Sequence, residues 1–156
     1  MKLQTIHLNV NDQMHTVTVR TGDTLLYTIR EKLGLTGAKP GCLNRDCGAC
    51  TINVDGWPMK SCLMMAVEGP GKQITTIEGL KNTQIQQAFV EHFAFQCGYC
   101  TPGFIMNCHS LILKKPDADD PMIKEWLESN ICRCTSYSEI EKAIKSALAK
   151  NKHHSN

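Results

Sequence analysis

The chain has 156 residues, with 17 Lys and Arg against 15 Asp and Glu and a formal charge of +2. That near-balance excludes a nucleic-acid or membrane-surface binder of the strongly basic kind, which concentrates Lys and Arg on one face. A hydrophobic fraction of 42% with 21% charged residues lies outside the low-hydrophobicity, high-charge range of disordered chains.

In chain order, the first predicted element is a strand over residues 5–10, where Ile6, Leu8 and Val10 alternate with polar residues as on a half-buried strand. Asn11-Asp12-Gln13 supplies a turn, and Val17 and Val19 resume the alternation over residues 15–20, which makes a β-hairpin. Asp23 or Thr24 can cap a helix carrying Leu25, Leu26, Ile29 and Leu33, with Gly34 placed to stop it. Short strands are expected over residues 51–54 and 73–77, punctuated by Asp55-Gly56 and Gly69-Pro70-Gly71. Strands around one early helix make an α+β unit over residues 1–78.

Beyond that point the hydrophobic period becomes helical, with a hinge expected near residues 78–82. A helix over residues 84–95 would put Ile85, Ala88, Phe89 and His92 on one face. In Thr101-Pro102-Gly103 the threonine can cap and the proline can occupy the first turn of a second helix, running through Phe104, Ile105, Cys108, Leu111 and Ile112. Asp120-Pro121 repeats the device ahead of Met122, Ile123, Trp126 and Leu127. Ser138 with Glu141, or Ser136 with Glu139, forms a capping box for the last helix, which carries Ile140, Ala143, Ile144, Ala147 and Leu148. Four helices with short connections predict a small bundle over residues 79–156, with residues 151–156, including His153-His154, as a frayed end.

Nine cysteines stand against four Phe, three Tyr and two Trp, so something besides large apolar side chains is expected to help hold the chain together. No apolar stretch approaches the roughly 18–20 residues of a membrane span. The alternating N-terminus lacks the apolar centre of a signal peptide, which gives the expectation of a cytoplasmic protein. A disulfide framework needs an oxidising compartment, and nine is odd, so metal or redox chemistry is favoured.

Eight of the nine fall into two quartets. Cys42-x4-Cys47-x2-Cys50, followed by Cys62, has the spacing of plant-type [2Fe-2S] ligands. Two sulfide-bridged irons need four thiolates, and one irregular loop can supply three while a later segment delivers the fourth. Small residues at Gly41, Gly48 and Ala49 let backbone amides approach the sulfurs. Buried free thiols or a zinc site are the alternatives there. Cys97-Gly98-Tyr99-Cys100 is answered by Cys132-Arg133-Cys134. Read alone, this second set also fits a four-cysteine zinc site or a thioredoxin-like redox pair, although the latter belongs beside a βαβ pattern and this stretch is helical. Cys108 falls on the apolar face of its helix and reads as a core residue.

Little else carries chemistry. His7, His15, His92, His109, His153 and His154 are not spaced with the cysteines as zinc ligands would be. The acidic run Asp117, Asp119 and Asp120 reads as a solvated turn and helix start. There is no Gly-rich phosphate loop, flavin fingerprint or nucleophilic triad spacing, so no catalytic residue is assigned.

The chain resembles the small iron-sulfur subunits, or equivalent N-terminal regions, of the molybdenum hydroxylases, a family that includes xanthine dehydrogenases, aldehyde oxidoreductases and aerobic carbon monoxide dehydrogenases. The carriers are Gly41-Cys42, Cys47-Gly48-Ala49-Cys50-Thr51, Val54-Asp55-Gly56, Ser61-Cys62-Leu63, the run from Thr76 to Leu80, the run from Gln96 to Gly103, and Cys132-Arg133-Cys134-Thr135 with Tyr137. The resemblance implies two [2Fe-2S] clusters, one in a ferredoxin-like β-grasp domain on Cys42, Cys47, Cys50 and Cys62. The other would sit in a four-helix bundle on Cys97, Cys100, Cys132 and Cys134.

It also implies a role in electron transfer. Electrons would leave a molybdopterin cofactor on a large partner subunit one at a time, cross the helical-domain cluster and then the β-grasp cluster, and reach FAD on a medium subunit. Gln96 and Cys134 match positions beside the pterin, and the assembly would be a heterotrimer or a dimer of heterotrimers. Two positions depart from the family pattern: Arg45 and Ser136 stand where glycine is common, and a cation at Arg45 should raise the potential of the first cluster. A free-standing two-cluster ferredoxin and a zinc-stabilised interaction module are the alternatives from other functional classes.

Overall fold

The computed structural model describes residues 2–154. Strands β1 (Leu3–Val10) and β2 (Gln13–Arg20) form the expected antiparallel hairpin. Their turn residues Asn11 and Asp12 both have positive φ, 54° and 63°, as in the two-residue turns whose twist matches that of the strands. Ile6, Leu8, Val10, Val17 and Val19 point into one core. Each such side chain contributes about 1.5–3 kcal/mol when fully removed from water.

The helix expected next is only one turn of α-helix, α1 (Leu25–Tyr27), capped by the Thr24 hydroxyl accepting from Tyr27 N. It widens into a π-helical turn, Thr28–Lys32, which periodicity cannot foresee because Leu25, Leu26 and Ile29 remain buried in either form. Asp23 does not cap it. Its carboxylate instead accepts from Arg20 N and Nε at 2.9 and 2.7 Å, closing the hairpin onto the helix start.

A long irregular segment leads to β3 (Thr51–Val54), β4 (Trp57–Lys60) and β5 (Gln73–Thr75). The sheet is mixed, in the order β2-β1-β5-β3-β4, with β1 and β5 parallel and the other pairs antiparallel. Strand β4 was not anticipated: Pro58 and the exposed Trp57 and Met59 disguise it, and as an edge strand it tolerates a proline. β5 ends earlier than predicted, because a 3-10 turn, Ile77–Gly79, follows it.

Helices α2 (Gln84–Glu91), α3 (Thr101–Lys114), α4 (Asp120–Leu127) and α5 (Tyr137–His154) follow. They share a second core of Ile85, Phe89, Phe104, Leu111, Ile123, Ile140 and Ile144, with Cys108 fully enclosed. The cap assignments differ in detail from those expected. Thr83 and Gln86 form a capping box on α2, which stops at Glu91 instead of continuing to residue 95 because Phe93 takes a left-handed φ of 51°. Cys100, not Thr101, is the N-cap of α3, and the Asp119 carboxylate, not Asp120, caps α4 by accepting from Met122 N.

Ser136 hydrogen-bonds Glu139 at the start of α5, so the earlier of the two overlapping boxes is the one that pairs. Residues 151–154, expected to fray, continue α5, while residues 155–156 of the expected tail lie outside the described residues. Among the described residues no helix is long and apolar enough to cross a membrane.

Helix α3 joins the two cores. Ser110 Oγ donates to Gly56 O at 3.1 Å, and Lys114 Nζ lies 5.0 Å from the centre of the Trp57 ring. On its other side Asn107 donates to Trp126 O and Ser129 Oγ, and Trp126 Nε1 returns a bond to Asn107 O.

Two cysteine quartets and the clasp between them

The segment from Gly37 to Cys50 is irregular, and its shape follows from unusual backbone angles. Leu43 and Arg45 adopt left-handed φ values of 60° and 78°, as does Gly48 at 68°. A non-glycine residue there costs about 1–2 kcal/mol, so Arg45 holds its left-handed φ under strain. Gly41 is needed for space, since a Cβ on it would lie 2.6 Å from Cys47 Sγ. The folded loop turns amides toward sulfur. Cys42 N donates to Cys47 Sγ and Cys47 N to Cys42 Sγ, both at 3.3 Å, and Ala49 N reaches Cys47 Sγ at 3.5 Å. Donation from the Cys47 amide, with further amides from Asn44 and Asp46, pulls the Cys42 thiol down to about 7, where it ionises readily.

Cys50 and Cys62 are buried. Burial is the main reason the Cys50 thiol is pushed up to about 11, with the Cys62 thiol beside it adding to the shift. Ser61, next to Cys62, is fully enclosed and donates its hydroxyl to Cys50 O at 2.7 Å. The later cysteine is thereby fixed against the loop that carries the other three.

The second quartet is built from the segment that ends in the α3 cap and from the α4–α5 connection. Cys97 and Cys134 are exposed and pair with each other. The Tyr99 amide, followed by the Cys134 thiol, lowers the pKa of Cys97, while that of Cys134 is raised by the same partnership. Cys100 and Cys132 form the inner pair, and burial, followed by the Cys132 thiol, pushes Cys100 up to about 12. Thr135 N donates to Cys132 Sγ at 3.3 Å. The Tyr137 hydroxyl accepts from Cys132 N at 3.1 Å and donates to Asn130 O at 3.3 Å. Gln96 stands exposed beside Cys97. Cys108 is far up the pKa scale because it is wholly buried, and no neighbouring thiol contributes.

Within each quartet the thiols perturb one another: Cys50 responds to Cys62 and Cys47, Cys100 to Cys132 and Cys97, and Cys134 to Cys97 and Cys132. A zinc ion wants all four thiolates around one point. A [2Fe-2S] core offers two irons, each taking two thiolates, with amide donors tuning the sulfurs. The donor sets fit the cluster.

The quartets are clasped to one another, which sequence reading did not anticipate. Ile131 N, one residue before Cys132, donates to Cys47 O at 3.0 Å, and the buried Asn130 Nδ2 donates to Gly48 O at 2.9 Å. Tyr99 OH reaches toward Pro40 O at 3.5 Å. An Asn directly ahead of Ile131-Cys132 is the only sequence trace of this contact, and nothing local shows that its partner lies more than eighty residues away.

Fold and donor sets together define a two-domain protein built to carry two [2Fe-2S] clusters. Comparison with known proteins agrees: residues 8–75 match a 2Fe-2S iron-sulfur cluster binding domain, and residues 76–145 a [2Fe-2S] binding domain. The small FeS subunit of nicotinate dehydrogenase from Eubacterium barkeri is 40% identical over 148 residues, covering 92% of this chain and 94% of that one. The small subunit of nicotine 6-hydroxylase from Paenarthrobacter nicotinovorans is 41% identical over 142 residues, covering 89% and 86%.

Among solved structures, quinoline 2-oxidoreductase from Pseudomonas putida 86 superimposes with a TM-score of 0.91 at 35% identity, over 98% of each chain. Aldehyde oxidoreductase from Desulfovibrio gigas also reaches 0.91, at 33% identity, over 97% of this chain but 17% of the other. The chain belongs to the small iron-sulfur subunits of the molybdenum hydroxylase family. It is an electron-transfer subunit of an oxidoreductase.

Proposed function

We propose that Cys42, Cys47, Cys50 and Cys62 hold one cluster in a β-grasp domain of residues 1–78, and that Cys97, Cys100, Cys132 and Cys134 hold the other in a four-helix domain of residues 79–156. Each cluster, when bound, takes up and gives up a single electron, so the pair splits a two-electron oxidation into single steps. The observation that carries the reading is the 3.0 Å bond from Ile131 N to Cys47 O. It joins the two ligand loops by one hydrogen bond and the short covalent path to Cys132.

The exposed pair Cys97 and Cys134, with Gln96, is the side offered to a molybdopterin cofactor on a larger subunit. Cys42, also exposed, is the side offered to a second acceptor, a flavin (FAD) on a medium subunit, in a cytoplasmic heterotrimer or dimer of heterotrimers. A subunit reading is favoured over a diffusing carrier by exposed apolar side chains next to both quartets: Tyr99 and Ile131 beside the second and Leu43 and Leu63 beside the first. A freely diffusing carrier would have little reason to leave these in water. The chain matches structures named for quinoline and for aldehyde oxidation equally well by TM-score, so the choice of substrate belongs to the partner. Iron, acid-labile sulfide and zinc analysis with electron paramagnetic resonance after dithionite reduction tests the assignment. About four iron and four sulfide with two signals are expected, and zinc or a single cluster would overturn it.

A further inference from the structure

We infer that Gly103 is a positioning residue that sets the separation of the two clusters, an inference that rests on the two-cluster reading above. Gly103 is buried in the first turn of α3, three residues after Cys100. Glycine is a poorer helix former than alanine, and no left-handed φ requires it here. Space does. A Cβ on Gly103 would lie 2.3 Å from Gly48 O and 3.1 and 3.2 Å from Ala49 Cα and C. Every one of these contacts is backbone of the loop between Cys47 and Cys50, which no side-chain rotation can clear.

The opposite flank of the same loop is equally close. A Cβ on Gly48 would lie 2.5 Å from Asn130 Nδ2 and 2.6 Å from Ser129 O, next to the segment that leads to Cys132. The Cys47–Cys50 loop is therefore gripped between the two arms of the second quartet, one ending in Cys100 and the other in Cys132. Ordinary contact begins at 3.4 Å, so a methyl group at position 103 must part the arms by about 1 Å. Helix α3 gains from the alanine, and the whole displacement falls on the space between the quartets.

The test uses the full chain loaded with both clusters. Two reduced [2Fe-2S] centres are paramagnetic, and the splitting each imposes on the other falls with the inverse cube of their distance. The wild-type protein is expected to show this splitting, and G103A to keep the iron, the sulfide and both sets of g-values while losing part of it. The same variant should slow reoxidation of the second-quartet cluster through the first. N130A, which releases Gly48 O from the other arm without adding an atom, should also weaken the splitting. S110A, which loosens α3 at its far end, should leave it intact.

If G103A fails to retain iron, N130A decides the matter. Undiminished splitting in an iron-replete G103A, or in N130A where G103A does not load, overturns the inference, as does a wild-type protein with two clusters and no splitting. A wild-type chain that binds fewer than two clusters instead overturns the reading on which it rests.

Discussion

Removing one oxygen from Tyr137 should loosen the second cluster and leave the first untouched. The hydroxyl accepts from Cys132 N and donates to Asn130 O, tying both sides of Ile131 to the start of α5. The ring itself packs edge-on against the fully buried Phe104, with centroids 6.1 Å apart at 74°, and Y137F keeps that contact. Each hydrogen bond is worth about 0.5–1.5 kcal/mol net. The Cys132 amide is partly open to water, so the lower half of the combined range applies, about 1–2 kcal/mol. If cluster loss proceeds through local opening of the 130–137 segment, this raises the population of the open form about 5- to 30-fold. Holding the reduced protein with a chelator and following the two paramagnetic signals in time would separate the sites. The signal of the second quartet should decay faster by that factor, with the first at its wild-type rate. Equal acceleration of both signals, or none, would refute the view that the hydroxyl acts locally on the Cys132 loop.

Other substitutions follow from the same geometry. Replacing Arg45 by glycine removes the left-handed strain at φ 78°, a gain of about 1–2 kcal/mol less the roughly 0.5–1 kcal/mol that glycine loses in chain entropy. It also deletes a cation from the first ligand loop, so a redox titration should find that cluster's potential lowered, and an unchanged or higher value would contradict the electrostatic argument. C62S should abolish the first-quartet signal and halve the iron while sparing the second. C108S should leave iron unchanged and cost about 1–3 kcal/mol in denaturant unfolding, because a buried hydroxyl replaces a buried thiol without a partner. Burial holds His109 below its ordinary value of 6.5, so the unfolded chain binds its proton first. The stability tied to neutral His109 is present above pH 6.5 and is lost as pH falls through the folded value. Denaturant midpoints taken downward from pH 8 should drop less in H109Q than in wild type, and parallel curves would show that the imidazole is not the group responsible.

The sequence carried local chemistry well and long-range contact poorly. Alternation in residues 5–20 and helical recurrence after residue 83 mark the two cores, because each element buries one face and repeats its apolar residues at its own period. The cysteine spacing stands out for a different reason: a loop able to wrap a cluster has a fixed length. What escaped has no period. Strand β4 hides behind a proline that only an edge accepts. The π-helical turn buries the same leucines an α-helix would. The Asn130–Gly48 and Ile131–Cys47 bonds join residues 82 and 84 positions apart, and they use backbone carbonyls that no side chain advertises. Gly103 looked like part of a helix-start motif, and only the fold shows that its missing Cβ makes room for another domain's loop.

Those contacts bear on the proposed route. In the second quartet the exposed pair, Cys97 and Cys134, faces outward beside Gln96, while Cys132 of the inner pair lies one residue from the bond to Cys47 O. In the first quartet Cys47 is on the clasped side and its partner Cys42 is exposed again. Each proposed cluster site thus has a solvent-facing thiol, and the two sites meet where the Ile131 amide reaches Cys47 O. A diffusing carrier needs only one accessible centre. A chain with an exposed thiol at each proposed site and a hydrogen-bonded clasp between them suits the proposed place between two partners. The left-handed Arg45 and the close-packed Gly103 both fall within this central stretch.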